Sequence, residues 1–170
     1  MIRVLVHDEG QCDPKKCTAR RMIKFGLAKE VGIRQIPRGS VILSPFAEYA
    51  LSPADRGHAL KSGLTVMDLT WSNIDGFPRP KGMNERALPF LIASNPVNWG
   101  KAMELNSAEA VVASLIILGE KEQADEFAKR FNWGIEFLRL NGNMLSDYSN
   151  AKDSSDVVRI QNEYLEAQKR

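Results

Sequence analysis

The chain has 170 residues, 44% apolar and 26% charged, with a net charge of +2. A chain of that size and apolar content can remove about two thirds of its unfolded surface from water, which excludes a disordered polymer. No apolar run approaches the roughly 20 residues of a membrane-spanning helix, and Met1–Val6 runs straight into His7-Asp8-Glu9 rather than into a secretory leader, so a cytoplasmic location is expected.

In chain order, Ile2–Val6, Val41–Leu43, Leu64–Leu69 and Phe90–Ala93 are short apolar runs without polar alternation. That is the pattern of strands buried on both faces of a parallel sheet. Between the first two, Met22, Ile23, Gly26, Leu27 and Glu30 fall on one stripe, predicting a helix over Thr18–Val31 that Gly32 ends. A second helix is predicted over Pro53–Ser62, with Ser52 as cap and proline at the first helical position. Pro78, Pro80 and Gly82 mark an irregular segment.

After Pro96, helical periodicity takes over. Asn106 and Glu109 have capping-box spacing ahead of Ala110–Leu118, and Gly119 closes that helix. Glu120–Phe131 carries Ala124, Phe127, Ala128 and Phe131 on one face. Trp133–Leu140 reads as a short helix ended by Asn141-Gly142, Met144–Tyr148 as a further turn or two, and Asp153 or Ser154 as the cap of a final helix reaching Gln168. The organisation is an α/β domain over 1–92 and a closely packed helical domain over 93–170.

Polar clusters follow the predicted strands: His7-Asp8, Ser44-Pro45, Asp68 to Trp71, and Ser94-Asn95-Pro96. Ligands of open parallel sheets bind beyond the carboxyl ends of the strands, so these are candidate lips of one pocket. Asp68 can accept from an ammonium or a ribose hydroxyl, and Trp71 offers a flat face to a purine; equally, the pair can serve as a cap and a core wall. His7, Cys12, Cys17 and His58 are the whole His and Cys inventory, and Cys-x4-Cys is not a usual zinc spacing, so no metal is expected. Two cysteines do not staple a fold of this length, although a Cys12–Cys17 bridge is within reach.

Residues 1–38 hold nine Lys or Arg against four Asp or Glu. The densest part is Lys15, Lys16, Arg20, Arg21 and Lys24, either a solvated helix face or a phosphate-binding patch.

Four stretches in order extend the reading: His-Asp-Glu-Gly-Gln-Cys-Asp-Pro-Lys-Lys-Cys-Thr at 7–18, Leu-Ser-Pro at 43–45, Asp-Leu-Thr-Trp at 68–71, and Leu-Pro-Phe-Leu-Ile-Ala-Ser-Asn-Pro-Val-Asn-Trp-Gly at 88–100. Leu105 to Ala110 and Phe131-x-Trp133-Gly134-x-x-Phe137-x-x-Leu140-Asn141 continue them. Together they resemble the small-subunit (16S/18S) ribosomal RNA aminocarboxypropyltransferases, in an archaeal form. The resemblance implies a SPOUT-like fold, a mostly parallel sheet with a deep trefoil knot, followed by an all-helical C-terminal domain. It implies transfer of the 3-amino-3-carboxypropyl group of S-adenosylmethionine to N3 of an (N1-methyl)pseudouridine, during maturation of the small ribosomal subunit. It also implies a monomer acting on small-subunit rRNA or its precursor particle.

Carried onto this chain, the resemblance places adenine among Leu43, Pro45 and Trp71, and ribose near Trp71 and the Leu91 backbone. Asp68 then accepts from the amino group of the arm that moves, Thr18 meets its carboxylate, and Asp68 and Trp71 are the residues on which catalysis depends. Lys15, Lys16, Arg20, Arg21 and Lys24 meet RNA phosphates. Positions 69 and 70 are Leu and Thr where many relatives have Cys-Ser, which excludes a catalytic thiol there. The rival readings are a SAM-dependent rRNA methyltransferase of the same class and a non-catalytic RNA-binding assembly protein.

Overall fold

The structure, a computed structural model, describes residues 1–8, 10, 17–68 and 84–169. Among these residues five parallel strands, β1 (Val4–Asp8), β2 (Lys29–Glu30), β3 (Val41–Leu43), β4 (Leu64–Asp68) and β5 (Asn84–Arg86), form one sheet in the order β2-β1-β4-β3-β5. The apolar strands β1, β4 and β3 fill the centre, and the polar β2 and β5 take the edges, as burial on both faces requires. Among the described residues six α-helices accompany the sheet: α1 (Thr18–Lys24), α2 (Arg56–Ser62), α3 (Ser107–Ile117), α4 (Lys121–Ala128), α5 (Gly134–Ser149) and α6 (Ser154–Gln168).

Helix α3 is the hub. Its Val111–Ile117 stretch is buried throughout, apolar but for Ser114, and the helix packs against α1, α4, α5 and β4. The larger core joins Ile2 and the strand residues Val6 and Leu64 to Leu115, Phe127, Phe137, Tyr148 and Val157 of the helices, and Leu5, Val31, Ile36 and Ile42 form a smaller cluster. Gln123 seals the junction, accepting from the Ile2 N–H at 2.9 Å and donating to the Ile2 carbonyl at 2.6 Å. No helix among the described residues is long and apolar enough to cross a membrane.

Three sequence expectations change. The first helix ends at Lys24 rather than Val31, because Gly26 takes a positive φ of 76° and Leu27 N–H closes on the Met22 carbonyl at 3.0 Å, a Schellman stop. That frees Lys29–Glu30 to form the edge strand β2. Phe90–Ala93 is not a strand: only Ile92 forms a bridge, with Ala102. Helical side chains satisfy its backbone instead. Gln161 and Tyr148 take the N–H and carbonyl of Phe90, both at 2.9 Å, and Asn141 takes both groups of Ile92 at 2.8 Å. For the same reason Asn141-Gly142 does not end a helix. Asn141 lies wholly buried inside a continuous α5, its amide pairing with both backbone groups of Ile92 while Nδ2 also donates to the Phe137 carbonyl one turn back at 3.0 Å.

Candidate active site

Asp8 and Asp68 end the central strands β1 and β4 in direct register. Arg20, one turn into α1, donates Nε to Asp8 Oδ2 at 2.7 Å, and the Gly10 N–H donates to Oδ1 at 2.7 Å. Asp8 is thereby compensated. Asp68 is half-buried, and burial first and the Asp8 charge second raise its carboxyl above the usual range, against weaker lowering by Ser107 and Arg20.

The N-terminus of α3 faces Asp68. Ser107, its first residue, places Oγ 3.5 Å from Asp68 Oδ1, and Cys17 Sγ lies 3.1 Å from Oδ2. Cys17 is in a disulfide, so its sulfur has no proton to give that oxygen. Thr18 opens α1, and its hydroxyl accepts from the Ala108 N–H at 3.3 Å, stitching the first turns of α1 and α3 together. The positive ends of two helices thus border one raised carboxyl, an arrangement that suits a ligand carrying both an ammonium and a carboxylate.

Beside it, β3 ends in half-buried Leu43, followed by buried Ser44 and exposed Pro45. Ser44 Oγ accepts from the Phe46 N–H at 3.2 Å and fixes that turn. Leu91 is buried; its carbonyl accepts from Met103 N–H at 2.9 Å, while its own N–H pairs with no acceptor among the described residues. Leu43, Pro45, Asp68 and Thr18 therefore stand at the carboxyl ends of the strands or the helix starts next to them. Trp71, Lys15, Lys16, Cys12 and the 78–82 segment lie outside the described residues.

The basic run divides. Arg20 is spent on Asp8, and Arg21 lies over the Phe131 ring at 4.8 Å and the Phe25 ring at 5.8 Å. Lys24 is exposed. Sequence reasoning missed Ser107 as a neighbour of Asp68; its position just after the Asn106 cap was the available signal. A separate cleft of about 570 Å³ lies at the other end of the strands, lined by Met1–Leu5, by Leu27 and Lys29, and by Gln123 and Phe127 of α4.

Residues 41–165 match the family model "Ribosome biogenesis protein, C-terminal", and residues 2–35 match "Possible Fer4-like domain in RNase L inhibitor, RLI". A cluster of the Fer4 kind needs four thiolates, and this chain has two cysteines, with Cys17 held in a disulfide. The donor set does not fit, and no step here runs through a cluster. The chain is 47% identical over 168 residues to the 16S rRNA aminocarboxypropyltransferase of Methanosarcina mazei, covering 96% of this chain and 95% of the relative. It is 40% identical over 167 residues to that of Methanothermobacter thermautotrophicus, covering 96% and 99%. The solved structure of the SAM-dependent rRNA:acp-transferase Tsr3 from Vulcanisaeta distributa superposes with a TM-score of 0.84 at 33% identity, covering 98% of this chain and 97% of that one. The fold is thus that of a SPOUT-like transferase, a parallel sheet joined to a helical region. The chain belongs to the 16S rRNA aminocarboxypropyltransferase family.

Proposed function

We propose that this chain transfers the 3-amino-3-carboxypropyl group of S-adenosylmethionine to N3 of an (N1-methyl)pseudouridine in small-subunit rRNA. The observation that carries the reading is the raised, half-buried Asp68 carboxyl facing the first turn of α3, in a chain of this family. S-adenosylmethionine, when bound, supplies the arm on a positively charged sulfur; the C–S bond breaks, a bond from N3 forms, the N3 proton leaves, and methylthioadenosine departs neutral.

The protein's part is orientation. Asp68 accepts from the amino group of the arm and so turns its first methylene, rather than the methyl, toward the base. An ammonium beside Asp68 favours the ionised carboxylate and reverses the upward pull of burial and Asp8. Asp68 is therefore an orienter first and a proton acceptor second. Thr18 and the α3 N-terminus receive the carboxylate, Leu43, Pro45 and Trp71 enclose adenine, and the Leu91 backbone and Trp71 hold ribose. Lys15, Lys16, Arg20, Arg21 and Lys24 belong to the RNA-facing side. Domains at 1–92 and 93–170, the trefoil knot, a monomer and a cytoplasmic location complete the reading.

Two parallel reactions test it, with 16S rRNA and S-adenosylmethionine labelled either in the carboxyl carbon or in the methyl. Carboxyl label fixed to one uridine-derived nucleotide, and lost in Asp68→Ala and Trp71→Ala, is the expected result. Methyl label alone in the RNA would make the chain a methyltransferase. Saturable RNA binding without cofactor binding would make it a non-catalytic assembly protein.

A further inference from the structure

Glu109 is fully buried in the first turn of α3 and has no cation among its described partners. Its two carboxyl oxygens are satisfied by hydrogen bonds from one loop. Oε1 accepts from the N–H groups of Ser94 and Asn95 at 2.7 and 2.9 Å, and Oε2 from Asn95 Nδ2 and the Asn106 N–H at 2.7 and 3.0 Å. The loop is tied again at its neck, where Ala93 N–H donates to the Lys101 carbonyl at 2.9 Å and Gly100 N–H to the Ala93 carbonyl at 2.7 Å. Gly100 makes the return with φ 79°, and Asn98 N–H donates to Asn95 Oδ1 at 2.9 Å. Such a loop is rigid. At its tip Trp99 is 62% exposed, with no ring or cation contact among the described residues.

An indole held in water on a pre-organised loop serves neither the core nor the fold. Its ordering has been met in advance by the Glu109 network, which is what a stacking platform needs. Lys101 is the one charged side chain between Pro96 and Met103, with exposed Glu104 next in sequence, and the Glu109 carboxyl is buried and fully hydrogen-bonded, so the tip carries an exposed indole with an exposed lysine two residues on. The loop hangs from the helical turn whose Ser107 reaches Asp68, so it borders the reaction site. A rigid aromatic beside a lysine, next to a site that acts on an unpaired base, fits a neighbouring unpaired base.

We infer that Trp99 is a positioning residue that stacks on an unpaired base of the rRNA loop carrying the target nucleotide. The inference rests on the rRNA-transfer reading above. Binding of a 16S rRNA transcript, binding of S-adenosylmethionine and carboxyl-label transfer are measured for the wild type, Trp99→Ala and Trp99→Phe, at several salt concentrations. Trp99→Ala is expected to weaken RNA binding and raise KM for RNA by about 5- to 150-fold, the range of one base–aromatic stack. The kcat at saturating RNA, the Kd of S-adenosylmethionine and the salt slope stay at wild-type values, and Trp99→Phe restores most of the affinity.

Wild-type RNA affinity in Trp99→Ala overturns the inference. So does weakening of S-adenosylmethionine binding in place of RNA binding, or a loss of self-association with RNA affinity intact, which would make the tip a protein contact. If the wild type binds rRNA through Trp99 but transfers no carboxyl label, the transfer reading fails and the stacking stands. Label transfer by Trp99→Ala at the wild-type KM has the opposite meaning.

Discussion

Asp8 and Asp68 stand side by side at the ends of β1 and β4, yet among the described residues the Arg20 guanidinium and the Gly10 N–H both go to Asp8. Arg20 and Gly10 pair with the Asp8 carboxylate, and burial first and the neighbouring Asp8 second leave Asp68 holding its proton to a higher pH than a free aspartate. The sheet register brings the two together. The helix that carries Arg20 decides which of them remains responsive.

Asp8→Asn should lower the Asp68 titration, because it removes a neighbouring negative charge and releases the Arg20 guanidinium to the same site. Carboxyl-carbon NMR of the two proteins without ligand measures this; an unmoved Asp68 would contradict the assigned cause. The linkage has a definite sign. A carboxyl whose folded pKa is raised contributes most below its unfolded pKa, and that contribution is lost as pH rises through the folded value. Urea unfolding across that window should show part of this slope vanishing in Asp68→Asn.

Asn141→Ala should destabilise the protein by about 2–4 kcal/mol, since it orphans the buried N–H and carbonyl of Ile92 together. The local consequence is more diagnostic than the midpoint. Amide exchange at Ile92 should accelerate well beyond that at Val112 of α3. Equal acceleration at both would mean that Asn141 acts only on global stability.

Asn141 also shows where sequence reasoning stops. The strands expected at Ile2–Val6, Val41–Leu43 and Leu64–Leu69 were legible, to within two residues of β1, β3 and β4, because burial on both faces leaves a continuous apolar run. The Asn106 cap and the Gly119 stop of α3 were legible because each depends on neighbours within one turn. Phe90–Ala93 misled because apolar extended chain looks the same whether its backbone pairs with a strand or with Gln161, Tyr148 and Asn141 arriving from helices up to 71 residues away. β2 and β5 carry polar side chains at the sheet edges, so no apolar pattern announced them. Asp68 was legible as a strand-end carboxylate. Its raised pKa was not, since that depends on a cross-strand neighbour and on which residue Arg20 selects.

Two glycines of α5 should respond with opposite signs to the same substitution. A Cβ at Gly134 would fall 2.0 Å from the Ala128 carbonyl oxygen and 2.7 Å from its carbonyl carbon, so α4 and α5 cannot keep their approach. Gly134→Ala should cost about 1–3 kcal/mol or more, as overpacking against backbone does. A Cβ at Gly142 meets nothing within 4 Å, and Gly142→Ala should stabilise the helix interior by about 0.5–1 kcal/mol. Thermal melting of the pair decides it, and melting temperatures moving in the same direction would refute the packing argument.

The basic side chains of α1 divide by what already holds them. Lys24 is exposed, so Lys24→Ala should leave the melting temperature unchanged while reducing the salt slope of rRNA binding by about 0.7–0.9, one phosphate contact's worth. Arg21 covers the Phe131 and Phe25 rings, and its loss should cost about 0.5–2 kcal/mol of stability through the cation–π contact. Arg20→Ala leaves the buried Asp8 carboxylate without its cation and should raise the Asp68 carboxyl further, because Arg20 also lowers it directly. Its RNA slope should then change less than that of Lys24→Ala, because a guanidinium paired at 2.7 Å has little to offer a phosphate without giving up Asp8. Equal slope changes in Lys24→Ala and Arg20→Ala would mean that Arg20 leaves Asp8 when RNA binds, coupling RNA binding directly to the protonation of Asp68.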